Sequence, residues 1–201
     1  MRGKGKTNYV KNRIFQEPIN PCYIIDIRNE FNHIPAFTNI YNFSHWLYKH
    51  DAKYVKMPST SEYYKHGQFR FVLSNQMEWE QLYKMMSNFR NCTIVVDEAD
   101  AIFTVRKFER PLLDVFLGCR NNNVSMIFMG KRPFLIPIYI RSQADKYVIF
   151  CIEEENDINY LSKRVKQNFP KDVYKLERGE AIVFQSGEKP IIQIYDKFIG
   201  E

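Results

Sequence analysis

The stretch that most constrains the fold is CTIVVDEADAIF at residues 92–103. Its apolar residues follow one another without the alternation of a strand that has one wet face. Such a run belongs to a strand covered on both sides, as in a parallel sheet. It ends in two adjacent carboxylates, Asp97 and Glu98, at the strand end where open α/β sheets bind ligands. Other runs repeat the theme: CYIIDI (22–27) and VSMIFMG (124–130) read as buried strands, KYVIFCI (146–152) as a third, and FRFVLS (69–74) as a further strand.

Helical spacing fills the intervals. Residues 7–16 place Tyr9, Val10, Ile14 and Phe15 on one side, with Pro18 and Pro21 ending the helix. FSHWLYKH (43–50) suits a short helix. Residues 76–89 carry a stripe of Met77, Leu82, Met85, Met86 and Phe89, read as core. Residues 107–120 and 154–169 complete the set, the latter with Ile158, Leu161, Val165 and Phe169 aligned. GEAIVFQSGEKPIIQIY (179–195) reads as two strands joined by a Ser-Gly turn, a hairpin near the C-terminus. Strands alternating with helices give an α/β class with a mainly parallel sheet flanked by helices. No repeat or low-complexity linker interrupts the chain, so the expectation is one domain over 1–201, with a core over about 1–165 and the hairpin over about 173–201.

Composition narrows the functional classes. Hydrophobic residues make up 45% and charged residues 26% of the 201, a soluble globular balance. Lys and Arg number 29 against 23 Asp and Glu, a net charge of +6 that permits a polyanionic partner without demanding one. Cys22, Cys92, Cys119 and Cys151 lie far apart with no metal-ligand spacing, which suits free thiols in a reducing cytosol. His33, His45, His50 and His66 show no ligand spacing either. No apolar run approaches the ~20 residues that span a bilayer, and the basic N-terminus has no apolar stretch of a signal peptide behind it. The expected location is cytoplasmic.

Three features carry chemistry. Gly3-Lys4-Gly5-Lys6-Thr7, followed by Asn8, opens a helix. Glycines let backbone amides turn inward around phosphate oxygens, and a helix N-terminus adds its positive end. Lys6 would reach the β- and γ-phosphates and the Thr7 hydroxyl would hold Mg²⁺. As a five-residue string it is equally a basic, flexible N-terminus. In the second feature, one carboxylate of Asp97-Glu98 can coordinate Mg²⁺ and its neighbour can polarise the attacking water. The bland alternative is an acidic strand end at solvent. The third is Gly130-Lys131-Arg132-Pro133, whose Lys131 would lie beside the γ-phosphate and sense it or relay hydrolysis to DNA-contacting loops, or would merely form a basic turn before Pro133. The three occur in the order a nucleotide hydrolase requires, and that agreement strengthens each of them beyond its own string.

At these residues the sequence resembles the FtsK–HerA superfamily of DNA-pumping P-loop ATPases, especially the small viral and phage packaging members. GKGKT is similar to their Walker A and IVVDEAD to their Walker B. IIDIRNEF, with Asp26, Glu30 and Phe31, resembles their strand-two signature. MGKRPFLIPIYIRSQADKYVIFCIEEENDINYL (129–161) is the most specific stretch, through Arg132, Pro133, Pro137, Ile140, Arg141, Ala144 and Asp145. The resemblance implies a RecA-like (ASCE) core that uses ATP and Mg²⁺. It also implies a homo-oligomeric ring, usually a hexamer, that translocates double-stranded DNA; no base-reading motif is present, so the expected contact is sequence-independent, and a capsid or portal component is a candidate docking partner. It gives phosphate and Mg²⁺ to Lys6 and Thr7, the metal to Asp97 and the water to Glu98. Arg120 and Arg141 are candidates for a finger acting on a neighbour's ATP. The alternatives are plain surface for Arg120 and a structural cap on Asp145 for Arg141.

The chain departs from the pattern in two places. Lys131 stands where many members carry Gln or Arg. The strand before the P-loop and the first glycine of Walker A are missing, which would leave two sheet edges open. The expectation is a Walker A loop cut one residue after that glycine, in a chain shorter than its natural product. Competing readings are a non-hydrolysing nucleotide-binding module, a filamentous-phage assembly or export ATPase, and a DNA-binding scaffold. The lack of an apolar span after residue 165 argues against the export reading.

Overall fold

The structure is a computed structural model that describes residues 5–16, 21–49, 68–104, 110–165, 169, 171–177, 179–185 and 191–194. It divides into two compact units, Gln16–Lys131 and Met1–Phe15 with Arg132–Glu201.

The Gln16–Lys131 unit is built on a five-stranded sheet. Its strands are β1 (Cys22–Ile25), β2 (Ala36–Phe37), β3 (Gln68–Phe71), β4 (Cys92–Val96) and β5 (Val124–Phe128), in the order β2-β3-β1-β4-β5. Every pairing is parallel, with Tyr23 opposite both Phe69 and Ile94. The unbroken apolar runs of β1 and β4 occupy the middle, where both faces are covered, and Ile24, Ile25, Ile94, Val95 and Val96 are wholly buried. Helices α2 (Ile40–Lys49), α3 (Gln76–Met86), α4 (Ala99–Thr104) and α5 (Arg110–Gly118) connect the strands.

Aromatic residues pack one face of this sheet. Tyr23 stacks on Phe69 at 5.1 Å and meets Phe89 at 4.3 Å, while Phe43 of α2 stands edge-on to Phe71 at 4.8 Å. Helix α3 starts on a capping box: the Asn75 side chain accepts from the Glu78 amide and donates to Glu78 Oε2. The other carboxylate oxygen, Oε1, accepts from the Ile40 amide at 3.3 Å, so one buried Glu caps α3 and ties down the start of α2. The stripe read from 76–89 is partly corrected. Leu82 and Met86 are buried, but Met77, in the first turn of α3, is 72% exposed.

In the other unit, α1 (Lys6–Gln16), α6 (Ile138–Arg141) and α7 (Glu155–Val165) accompany β6 (Lys146–Ile149), β7 (Glu180–Gln185) and β8 (Ile191–Ile194). The strands form an antiparallel sheet in the order β6-β7-β8, with Ile149 opposite Ile182. The expected hairpin is therefore β7–β8, and its connection at 186–190 lies outside the described residues. Ile149, Leu161, Phe169, Val173 and Ile182 form this unit's core. Two expectations of fully buried strands are corrected. Among the described residues β5, half-buried, pairs with β4 alone at the edge of its sheet, and β6 pairs with the hairpin alone and exposes Lys146.

Candidate functional site

The tip of β4 is the centre of the site in the Gln16–Lys131 unit. The ladder continues past the strand end: the Asp97 amide donates to Ile25 O at 3.0 Å, and the Ala99 amide to Met129 O at 2.7 Å. Between these fixed points Glu98 adopts φ +48°, a left-handed conformation uncommon outside glycine. Immediately after it α4 begins, with the Ile102 amide on Glu98 O at 3.2 Å. The chain thus turns sharply from strand to helix, and Asp97, Glu98 and Asp100 are all buried at that turn.

Glu98 is held by cations from both neighbouring strands. Lys131, beyond β5, places Nζ 3.0 Å from Oε1 and 3.3 Å from Oε2. Arg28, beyond β1, places Nε 3.5 Å from Oε2. The Lys131 amide donates to Asp100 Oδ2 at 3.2 Å, so the first turn of α4 fixes the backbone from which Lys131 reaches. Gly130 permits this packing, since a Cβ there would stand 3.0 Å from Asp100 Oδ1.

Asp97 has the opposite environment. Its Oδ2 is buried and has no hydrogen-bond partner among the described residues. Burial pushes its carboxyl up to about 7, helped by the nearby charges of Glu30, Asp26 and Glu98, while the hydrogen-bonded Glu98 amide pulls the other way. A buried carboxylate oxygen lacking a donor, among other carboxylates, fits a hard divalent cation. Among the described residues no group of three or more Asp, Glu, His or Cys could hold a metal alone.

The loop after β1 is rigid for a reason the sequence reading missed. Asp26, fully buried, accepts from the amides of Glu30 at 2.9 Å and Phe31 at 3.0 Å. Its Oδ2 also pairs with Arg70 Nη1 at 3.1 Å, and the same nitrogen donates to Asn29 Oδ1. Asn29 has φ +58°, a conformation asparagine tolerates. Arg70 sits inside β3, in a stretch read only as a strand; a charged residue within that otherwise apolar run was the available signal. Arg28 was also missed, and no pattern marks it.

In the other unit, α1 starts at Lys6, and its first turn contains Lys6, Thr7 and Asn8. Gly5 precedes it with φ +103°, and a Cβ there would meet Phe150 Cε1 at 3.1 Å and Gly179 Cα at 3.6 Å. Only glycine suits that position on both counts. Gly3 and Lys4 lie outside the described residues. Arg132 donates from Nε to Asp157 Oδ2 at 2.6 Å, and Asp157 Oδ1 accepts from the Phe134 amide at 2.7 Å. Asp157 is wholly buried, so Arg132 serves as a tie between this loop and α7. The Arg141 guanidinium lies 3.9 Å from the Tyr160 ring centre and 5.6 Å from that of Phe134, where the alternative reading put it on Asp145. Arg120, in the Gln16–Lys131 unit, is exposed in the turn before β5, at the end of the sheet opposite Glu98.

Solved structures share this fold. Genome packaging NTPase B204 of Sulfolobus turreted icosahedral virus 2, in complex with sulfate, matches with a TM-score of 0.70 and 16% identity, over 100% of this chain and 94% of that one. The same protein in complex with AMPPCP gives 0.69 and 16%, over 98% and 93%. B204, the DNA-packaging ATPase of Sulfolobus turreted icosahedral virus, gives 0.53 and 16%, over 90% and 99%. No curated protein sequence matches significantly. A mainly parallel sheet flanked by helices, with an antiparallel hairpin, is thereby a P-loop NTPase fold. The family model described as zonular occludens toxin (Zot) matches residues 37–154, more than half of the chain, and the chain belongs to that family of P-loop ATPases.

Proposed function

We propose that this chain is an ATP-hydrolysing motor that moves double-stranded DNA, of the genome-packaging kind. The observation that carries the reading is the β4 tip: a buried carboxylate with a bare oxygen beside a second carboxylate held by two cations. The likeness to a packaging NTPase solved in complex with AMPPCP and also with ATP-gammaS supports nucleotide as the ligand and packaging as the task.

The residues divide the work by their chemistry. Gly3, Lys4, Gly5 and Asn8 shape the phosphate loop, and Lys6 neutralises the phosphates. Thr7 and Asp97 would hold Mg²⁺, which when bound offsets charge on the phosphate oxygens. Glu98 accepts a proton from the attacking water, a role worth roughly 10²–10⁴ in rate. Lys131 reaches the same carboxylate and so couples its state to the tip of β5. Arg120 or Arg141 would serve as the finger in a neighbour's site, which calls for a ring, and a finger contributes roughly 10³–10⁵ in rate. Of the two, Arg120 is exposed and Arg141 is packed over aromatic rings. No described helix is long and apolar enough to cross a membrane. In this reading the protein works in the host cytoplasm with a capsid or portal component.

The test is DNA-stimulated ATP hydrolysis by the full-length protein, Lys6→Ala and Glu98→Gln. Lys6→Ala is expected to lose nucleotide binding. Glu98→Gln is expected to bind ATP and turn it over at least about 100-fold more slowly. Equal turnover by all three refutes the motor reading. DNA affinity should fall steeply with salt as phosphate contacts release counterions. Turnover without salt-sensitive DNA binding would favour an export ATPase moving another cargo.

A further inference from the structure

The loop after β1 delivers a cation that the roles above leave unused. Arg28 reaches Glu98 from one flank of β4 while Lys131 reaches it from the other, beyond β5. The carboxylate between them is buried, whereas the Arg28 side chain is 53% exposed and that of Lys131 43%. Glu98 is therefore the fixed part and the two cations are the parts with room to move. Their backbones are not free to follow. Asp26, Arg70 and Asn29 lock the 26–31 loop, and Asp100 holds the Lys131 amide.

The two contacts are unequal. Lys131 touches both carboxylate oxygens, at 3.0 and 3.3 Å, and Arg28 touches one at 3.5 Å while being the more exposed. Arg28 is the cation an incoming anion detaches first. Its planar fork of donors matches two oxygens of a phosphate better than an ammonium does. It also stands at the C-terminal edge of the parallel sheet, where phosphate-bearing ligands of such sheets lie.

We propose that Arg28 is a triphosphate-sensing residue of this site. Without nucleotide it is parked with Lys131 on Glu98. The terminal phosphate of a nucleoside triphosphate draws it away and leaves Glu98 less encumbered as a proton acceptor. A diphosphate lacks that group and leaves Arg28 parked. The ligand class rests on the nucleotide reading above, but the sensing role does not depend on turnover.

Calorimetric titration of the full-length protein with AMPPCP and separately with ADP tests this, using wild type, Arg28→Ala and Arg28→Lys. Arg28→Ala should weaken AMPPCP roughly tenfold, the loss of one charge-assisted contact, and change ADP by less than about twofold. Arg28→Lys should recover part of the AMPPCP affinity. A merely structural Arg28 would weaken both nucleotides together. That result, or no change in either, overturns the proposal. Thermal unfolding of each variant checks that this half-exposed position has not altered the fold. A wild type that binds both nucleotides but hydrolyses no ATP refutes the motor reading while the binding ratio still decides Arg28. A wild type that binds neither refutes both.

Discussion

Asp97→Asn should change how stability depends on pH, and the sign follows from the structure. Burial, reinforced by the charges of Glu30, Asp26 and Glu98, raises the Asp97 carboxyl from 3.8 to about 7 in the folded chain. Between those values the folded state holds a proton that the unfolded state has lost. The stability this group contributes is full below the unfolded value and is lost as pH rises through the folded one. At 1.36 kcal/mol per pH unit the change has a ceiling of about 4 kcal/mol, and relaxation of the neighbours lowers it. Asparagine keeps the shape and removes the titration. In urea unfolding with chelator and without nucleotide, the difference in stability between wild type and Asp97→Asn should fall from pH 4.5 to 7.5 and then level off. A drop of at least about 1 kcal/mol is expected, as a modest share of that ceiling. Mg²⁺ binds the ionised carboxylate, so adding it should stabilise wild type more at pH 8 than at pH 5.5 and have little effect on Asp97→Asn. Two curves separated by a constant offset across this range would refute the argument that the carboxyl is buried among like charges.

Two further changes probe the surroundings of the tip. Asp26→Ala leaves the Arg70 charge buried without its partner and removes the acceptor for two loop amides, so urea unfolding should show a loss of about 3–5 kcal/mol. Pairing Asp26→Leu with Arg70→Met should recover a good part of that loss, because replacing both partners leaves no isolated charge. Gly130→Ala puts a methyl 3.0 Å from Asp100 Oδ1 and should cost about 1 kcal/mol in the same assay. A Gly130→Ala protein as stable as wild type would show that Asp100 does not hold the β5 tip as tightly as its contacts indicate.

What was legible in the sequence was whatever one strand or one helix decides by itself. CTIVVDEAD reads correctly because an unbroken apolar run admits one environment and the carboxylates follow it directly in the chain. The same logic misjudged the runs at 124–130 and 146–152. A run shows that a strand can be covered, but not which neighbours arrive to cover it, and among the described residues β5 and β6 each have a partner on one side only. The support of the site was hidden for a related reason. Asp26 and Arg70 are 44 residues apart and meet because β1 and β3 are adjacent. Asp157 meets Arg132 across 25 residues, which sets Arg132 apart as a structural tie from its neighbour Lys131, the sensor candidate. Lys131 and Arg132 are consecutive cations with different partners, Glu98 for the first and Asp157 for the second. Their division follows from burial. Asp157 is wholly buried in the core of its unit and holds Arg132 on a short, charge-assisted bond, whereas Glu98 sits at a strand tip and is reached by side chains that remain half in water. A cation bound in the first way serves the fold. One bound in the second way can still be exchanged for a ligand, which is why the functional weight falls on Lys131 and Arg28 and not on Arg132.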